Sequence, residues 1–343
     1  MKNIFFIALI LVMVSCKKEQ PPRDYAVVHG KITNPIDSLN LRLYDAKNNK
    51  TVMVDVDAEG NFRDTLKLEA PANFTAVYKN AFGFYLANDM DIQLNLDTKN
   101  FAESIAFSGK GEAENNFVKF KSKATRNLYG ENYKDYFSLN QTDFDAKTKN
   151  YIDTFNNQLE AKKAVLDSAF VSQQKEALET FKKQNLAQYN EQQKINKALA
   201  KGNPSPEFND YVNYAGGTSS LKDYRGSYVY IDVWATWCGP CKYEIPFLEK
   251  VEKKYHDKNI KFVSLSIDNK RDEQKWRDMI KAKNMGGIQL LADKDYNSQF
   301  IKDYFIYGIP RFILLDPEGK IVNYDAPRPS EEKLITLFTS LNI

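Results

Sequence analysis

The residues with the clearest chemical meaning are two cysteines, Cys238 and Cys241, separated by Gly239 and Pro240. They follow the apolar run of residues 228–234, which is typical of a buried strand, and they precede a helical pattern. Cysteines three positions apart at the start of a helix lie about 5 to 6 Å apart, which is close enough for a disulfide. The spacing therefore predicts a pair that opens and closes reversibly, as thiol–disulfide exchange requires.

The two cysteines are predicted to have different roles. A cysteine at a helix N-terminus faces unpaired backbone N–H groups and the positive end of the helix dipole, and both favour its thiolate. Cys238 is therefore the predicted nucleophile. Cys241 is close enough to attack a mixed disulfide on Cys238, so it is the predicted resolving thiol.

Two other interpretations of such a pair are half of a zinc site and an inert structural bridge. A structural zinc ion needs four ligands. Besides the pair, the chain has only Cys16, His29 and His256 as cysteine or histidine ligands, and none has a suitable spacing. We therefore favour redox activity, and we expect neither a metal nor a cofactor.

The N-terminus has the features of a secretion signal. Lys2 precedes an unbroken apolar run at residues 4–14, which is shorter than the about 20 residues that span a bilayer. Ser15 lies directly before Cys16, as in a bacterial lipoprotein signal. We predict that residues 1–15 are a signal peptide and that Cys16 is the lipid attachment site, in preference to an ordinary cleaved signal. Residues 16–24 are then a polar tether.

Composition and charge exclude several classes of function. The chain has 343 residues and a net charge of +3, with 48 basic and 45 acidic residues, which argues against a nucleic-acid partner. A second hydrophobic span is lacking, so we expect contact with a membrane through the lipid anchor only.

Hydrophobic periodicity predicts a multidomain protein. Alternating apolar residues, as at Leu39, Leu41 and Leu43, predict an all-β sandwich over residues 25–110. The spacing then becomes helical over residues 111–203. Two apolar stripes mark two long helices there, the first with Phe144, Tyr151, Phe155, Leu159, Leu166 and Phe170, the second with Leu178, Phe181, Leu186 and Tyr189.

The helical region ends at the proline-bearing segment 202–206. Its apolar stripes can pack on the sandwich, on the last domain or on a second copy of the chain. The sequence does not choose among these three, so a homodimer is one of the predicted possibilities. From residue 204 to 343, strands alternate with helices, which predicts an α/β domain around a mainly parallel sheet.

The last domain resembles thioredoxin. The resemblance rests on residues 229–241, on Pro246 in the following helix, and on Gly308-Ile309-Pro310 before a late strand. More narrowly, Glu244 and an additional helix and strand over residues 271–291 resemble the TlpA/ResA-like thiol-disulfide oxidoreductases of the bacterial envelope. The two preceding regions look like the N-terminal part of lipoproteins that carry such a domain.

This resemblance implies further site residues. Asp232 would lie buried beneath the thiols and exchange a proton with Cys241, whereas the alternative is a strand-edge aspartate facing water. Glu244 would tune the thiols, with a solvated helix residue as its alternative. Pro310 would be a cis-proline that leaves the Ile309 backbone free to pair with an extended substrate. Trp237 would form part of the substrate-contacting rim.

The resemblance also implies a direction of electron flow. A Gly-Pro pair between the cysteines is the thioredoxin type, with a potential near about −270 mV, so we expect a protein disulfide reductase. Its partners would be disulfide-containing envelope proteins or apocytochrome c, with a membrane thiol as electron donor. We expect a lipid-anchored, periplasm-facing protein in the cell envelope, with the outer membrane favoured over the inner. A disulfide isomerase or oxidase, and a lipid-anchored binding protein with the thioredoxin fold as scaffold, are the alternatives.

Overall fold

A computed structural model of the chain describes residues 21–343. The predicted signal peptide, Cys16 and most of the predicted tether lie outside the described residues. The described chain divides into two compact units between Gln184 and Asn185. None of the helices in the described part of the chain is long and apolar enough to cross a membrane.

The first unit is rich in β-structure. Its strands form two four-stranded sheets, with the orders β4-β1-β7-β8 and β3-β2-β5-β6. The strands are β1 (Ala26–Thr33), β2 (Leu41–Asp45), β3 (Lys50–Val54), β4 (Asn61–Leu66), β5 (Ala72–Tyr78), β6 (Asn80–Leu86), β7 (Asp91–Asp97) and β8 (Ala106–Lys110). Alternate residues of β7 are buried, as a period of two predicts. Phe84 of one sheet stacks on Phe107 of the other, with ring centroids 5.8 Å apart.

The residues just before β1 form ion pairs with the first unit. The Arg23 guanidinium lies 3.1 Å from the Asp91 carboxylate, and the Asp24 carboxylate lies 2.5 Å from the Lys67 ammonium. The last two residues of the predicted tether therefore belong to the folded unit.

Helices follow the sheets, as the change in period predicts. They are α1 (Phe101–Ser104), α2 (Glu112–Tyr129), α3 (Tyr133–Phe137), α4 (Gln141–Lys162) and α5 (Ser168–Ala198). The sequence prediction of one stripe from Phe144 to Phe170 is wrong, because the Asp167 carboxylate accepts hydrogen bonds from the N–H groups of Ala169 and Phe170 and begins a new helix there. Leu186 is half exposed, so it is not a packing residue of the second stripe.

The second unit begins within α5. Leu199, just after that helix, is buried in the core of the unit, and Ile195 packs against the same core. Gln192 donates a hydrogen bond to the Tyr324 hydroxyl, which itself donates to Asn196. The unit therefore starts earlier than the boundary at 203/204 that the sequence predicts.

The second unit is built on a seven-stranded sheet with the order β10-β9-β13-β12-β11-β14-β15. Its strands are β9 (Tyr211–Asn213), β10 (Thr218–Ser219), β11 (Tyr228–Trp234), β12 (Ile260–Ser266), β13 (Ile288–Leu291), β14 (Arg311–Leu315) and β15 (Ile321–Asn323), and its further helices are α6 (Gly239–Lys254), α7 (Glu273–Lys283), α8 (Gln299–Asp303) and α9 (Glu332–Ser340). The sequence missed β9 and β10, which are too short to show a period.

Helices cover both faces of this sheet. Tyr230 of β11 packs with residues of α6 and α9, such as Leu248 and Phe338, whereas Ile231 packs with residues of α7 and α8. Strand β11 runs parallel to β12 and antiparallel to β14, so it is covered on both sides and at both edges. Helix α7 and strand β13 supply the insertion that the sequence predicts after β12. The central strand ends where the cysteine motif begins.

Candidate active site

The two cysteines lie where β11 gives way to α6. Cys238 is the residue that caps the helix N-terminus, and its Sγ accepts a hydrogen bond from the Cys241 N–H at 3.1 Å. The two sulfur atoms form a disulfide across the first turn, with the Cα atoms 5.3 Å apart. The spacing and the setting agree with the sequence prediction. A backbone donor aimed at the first sulfur favours its thiolate when the disulfide opens.

A buried carboxylate fixes the short connection between β11 and α6. Asp268, two residues after β12, accepts hydrogen bonds from the Thr236 N–H at 2.9 Å and the Thr236 hydroxyl at 2.7 Å. The Ser266 hydroxyl donates to the same carboxylate at 2.8 Å. Asp268 is 1% exposed, and Thr236 is 2% exposed. Two residues before the first cysteine, the backbone is therefore held to the neighbouring strand.

Trp237 is exposed, whereas the residues on either side of it in the chain are buried. Its side chain is 54% exposed, whereas Cys238 and Cys241 are 4% and 3% exposed. Its indole contacts the ring of Tyr296, with centroids 6.3 Å apart. An aromatic surface beside the disulfide is thus open to solvent.

A second loop reaches the same edge of the sheet. Val233 of β11 pairs with Arg311 of β14, so Pro310 and Ile309 lie beside the end of the central strand. The peptide bond between Ile309 and Pro310 is cis, as the resemblance implies. Ile309 packs against the same core that contains both cysteines, and nearby Tyr307 is 76% exposed.

Asp232 is buried on the central strand, so its alternative as a strand-edge residue is wrong. It is 5% exposed, and its Oδ1 has no hydrogen-bond partner among residues 21–343. Burial raises the pKa of Asp232 to about 8, and the negative charges of Glu244 and Glu252 add to this effect. The carboxyl group therefore keeps its proton at neutral pH.

Glu244 is also buried, so the solvated-helix alternative is wrong. It lies on α6 and is 3% exposed. Its carboxylate accepts hydrogen bonds from the Ser330 N–H at 3.0 Å and the Ser330 hydroxyl at 2.9 Å. The loop before α9 thus holds Glu244, and the charge of Glu244 acts on Asp232.

A third carboxyl group, Glu252, lies two turns further along α6. Burial raises its pKa to about 7, with the charge of Glu249 as a smaller cause. Its carboxylate lies against Gly286 and Gly287. A Cβ on Gly287 would come within 2.9 Å of the Phe262 carbonyl oxygen, and the φ of Gly287 is +64°, so glycine is favoured at this position.

The structure brings the predicted site residues together in two groups. Cys238, Cys241 and Ile309 share one core, and Asp232 interacts with Glu244. Sequence reasoning missed Asp268, Ser330 and Glu252. A polar residue at the end of a buried strand is a signal that could have found Asp268. Glu252 and Ser330 give no such signal, because only the folded chain shows that they are buried or paired.

The buried Asp232 makes stability depend on pH. Between about pH 4 and pH 8, Asp232 is ionised in the unfolded chain and protonated in the folded chain. The free energy of unfolding therefore falls as the pH rises through this range, by at most about 1.4 kcal/mol per pH unit. Asp232→Asn removes this contribution. We expect the variant to unfold at higher urea than the wild type at pH 7.5, with a gain that shrinks towards pH 4. The exposed Asp303→Asn is the control, and a gain that does not change with pH would contradict this account.

The Asp268 carboxylate should be needed for the shape of the site. Asp268→Ala leaves the buried Thr236 N–H and hydroxyl without their acceptor, and each unsatisfied group costs about 1 to 3 kcal/mol. We expect a loss of about 3 kcal/mol in the free energy of unfolding, measured with urea. Thr236→Val, which removes only the hydroxyl, should lose less. Equal stability of Asp268→Ala and wild type would refute the role of this carboxylate.

Comparisons with known proteins agree with this geometry. The Redoxin family model matches residues 200–336. The thioredoxin-like protein YneN of Bacillus subtilis is 31% identical over 124 residues, which are 36% of this chain and 69% of that protein. The thiol-disulfide oxidoreductase ResA of Bacillus thuringiensis is 26% identical over 133 residues, which are 39% of this chain and 73% of that protein.

A solved structure is also similar to part of the chain. The solution structure of a putative thiol-disulfide oxidoreductase from Bacteroides vulgatus is 47% identical, covers 42% of this chain and 92% of its own, and has a TM-score of 0.37. The disulfide at the start of α6 and the sequence relatives together identify the family of the chain. The chain belongs to the thioredoxin family, as a TlpA/ResA-like thiol-disulfide oxidoreductase.

Proposed function

We propose that this enzyme is a protein disulfide reductase of the bacterial cell envelope that works through Cys238 and Cys241. The observation that carries the proposal is the hydrogen bond from the Cys241 N–H to Cys238 Sγ at the N-terminus of α6. This donor and the helix dipole stabilise a thiolate on Cys238, which is the form that attacks a disulfide. The Gly-Pro pair between the cysteines favours the reducing direction.

In the proposed reaction, the Cys238 thiolate attacks one sulfur of a substrate disulfide. The substrate disulfide breaks, a mixed disulfide with Cys238 forms, and the other substrate sulfur leaves as a thiolate that takes up a proton. The Cys241 thiol then loses its proton and attacks Cys238 Sγ. The Cys238–Cys241 disulfide forms and the second substrate thiol is released. Two electrons have passed to the substrate, and a membrane thiol donor returns two electrons to the enzyme.

Asp232 is the proposed proton-exchanging group for Cys241. Its pKa of about 8 means that the protonated acid predominates at neutral pH, with a minor carboxylate form beside it. The carboxylate form can take a proton as Cys241 attacks, and the protonated form can return one when the donor reopens the disulfide. Glu244 is the proposed positioning and tuning residue, because its charge acts on Asp232 while Ser330 holds its carboxylate. Both acids are buried on the α6 side of the sheet.

The substrate is proposed to bind across Trp237 and the Ile309–Pro310 loop. Trp237 is exposed beside the disulfide and offers apolar contact area. The backbone of Ile309, before the cis-proline, would pair with an extended segment of the substrate as an added strand. Such recognition reads backbone more than side chains, which suits misoxidised envelope proteins or apocytochrome c.

Location and layout complete the proposal. The signal-like residues 1–15 and Cys16 support lipid anchoring on the periplasm-facing side of the envelope, with the outer membrane favoured. We propose a tether after Cys16, then a β-sandwich domain (25–110), a helical region that ends at Gln184, and the redox domain from Asn185 to Ile343. A homodimer through the helical region remains one arrangement of this layout.

Reduction of insulin by the purified protein tests the enzymatic role. Cys238→Ser removes the nucleophile, so we expect turnover to fall by more than about 100-fold. Cys241→Ser should keep the first attack but strand the substrate as a mixed disulfide, visible as a larger species on a non-reducing gel. Equal slow rates in the wild type and in Cys238→Ser would favour the binding-protein alternative.

The direction of electron flow is tested by equilibrating the cysteine pair with glutathione or dithiothreitol buffers. We expect a midpoint potential near about −270 mV, because the intervening Gly-Pro pair provides no group that stabilises the reduced form strongly. A potential above about −180 mV would overturn the reductase assignment and favour an isomerase or an oxidase.

A further inference from the structure

The first unit contains a large cavity, which none of the proposed redox residues lines. Its volume is about 880 Å³, within the range of small-molecule sites in proteins. Helix α2 forms one wall, and β6 with the segment from α1 to β8 forms the other. All of its lining residues precede the segment 200–336 that matches the Redoxin family.

Aromatic rings make one side of the cavity apolar. Phe82 and Phe101 meet edge to face, with centroids 5.9 Å apart, and Phe107 lies beside them in the lining. The base of the cavity is fixed by close packing, because a Cβ on Gly83 would come within 2.6 Å of Val118 Cγ1 on α2. Helix α2 and strand β6 are therefore in close contact at Gly83. The cavity lies beside this contact.

The α2 wall carries positive charge. Lys119, Lys123 and Arg126 follow one another at spacings of four and three, so they lie along one side of the helix. Lys119 donates a hydrogen bond to the Ile105 carbonyl at 2.5 Å. Within residues 21–343, the side chains of Lys123 and Arg126 make no hydrogen bond or ion pair. Glu103 is the one acidic residue among the described lining residues, so the cavity has a positive balance.

We infer that this cavity binds a small anionic amphiphile, a molecule with one carboxylate or similar group on an apolar body. The apolar body leaves water for the surface of Phe82, Phe101 and Phe107. The anionic group is held by Lys123 and Arg126, whose charges have no other partner within the described residues. A neutral ligand is not attracted by these two charges, and a cationic ligand is repelled by them.

The test compares three probes of equal chain length, decanoate, decanol and decyltrimethylammonium, by calorimetric titration of the full chain. We expect decanoate to bind most tightly. The double variant Lys123→Gln with Arg126→Gln should weaken decanoate binding by about tenfold, equivalent to about 1.4 kcal/mol. Ala102→Trp, which fills the cavity from its rim, should abolish binding of decanoate and decanol alike.

The matched control is Arg42→Gln with Lys50→Gln. It removes the same two charges from exposed positions outside the cavity lining and should leave decanoate binding unchanged. Circular dichroism and insulin reduction, followed in parallel, establish that each variant is folded. Equal affinity for the three probes, or the same loss in the control as in the cavity double variant, would overturn the inference. So would decanoate binding that survives Ala102→Trp in a folded protein.

Discussion

Two hydrogen bonds from Thr236 to the buried carboxylate of Asp268 hold the end of the central strand where the redox helix begins. The remainder of the site is built outward from this junction. Cys238 can cap α6 only if the preceding residues leave β11 in one fixed direction. The cis peptide at Pro310 reaches the same edge because β14 pairs with β11 in a fixed register. Reacting groups held this way need little reorganisation during catalysis.

The buried carboxyl groups lower the stability of the fold, and the proposed reaction uses them. Asp232 has no hydrogen-bond partner for Oδ1 within the described residues, and an aspartate in such a place costs free energy whenever it ionises. An apolar residue would pack there more favourably. Burial raises the pKa of Asp232 to about 8, and the negative charges of Glu244 and Glu252 add to this effect. A buried acid of this kind suits the proton exchange proposed for Asp232, and sites that lower the stability of the fold are common where activity requires them.

Much of the redox unit could be predicted from the sequence because its signals are local. The motif at Cys238 and Cys241, the apolar run of β11 and the alternation of strand and helix each lie within a short window. Other features depend on residues far apart in the chain. The pairing of Glu244 with Ser330, and of Thr236 with Asp268, joins segments that only the folded sheet brings together. The helix break at Asp167 was missed because an apolar stripe continued across it.

Helix α5 has a practical consequence for anyone who shortens this protein. The family match begins at residue 200, and the glycine- and proline-bearing segment after it invites a cut at the same point. Such a cut would remove Leu199, which is buried in the core that contains the disulfide, and Ile195, which packs against that core. It would also remove the side chains of Gln192 and Asn196, which are hydrogen-bonded to the Tyr324 hydroxyl. A catalytic fragment intended for crystals or assays should therefore retain the chain from Asn185 onward, well upstream of where homology alone would begin it.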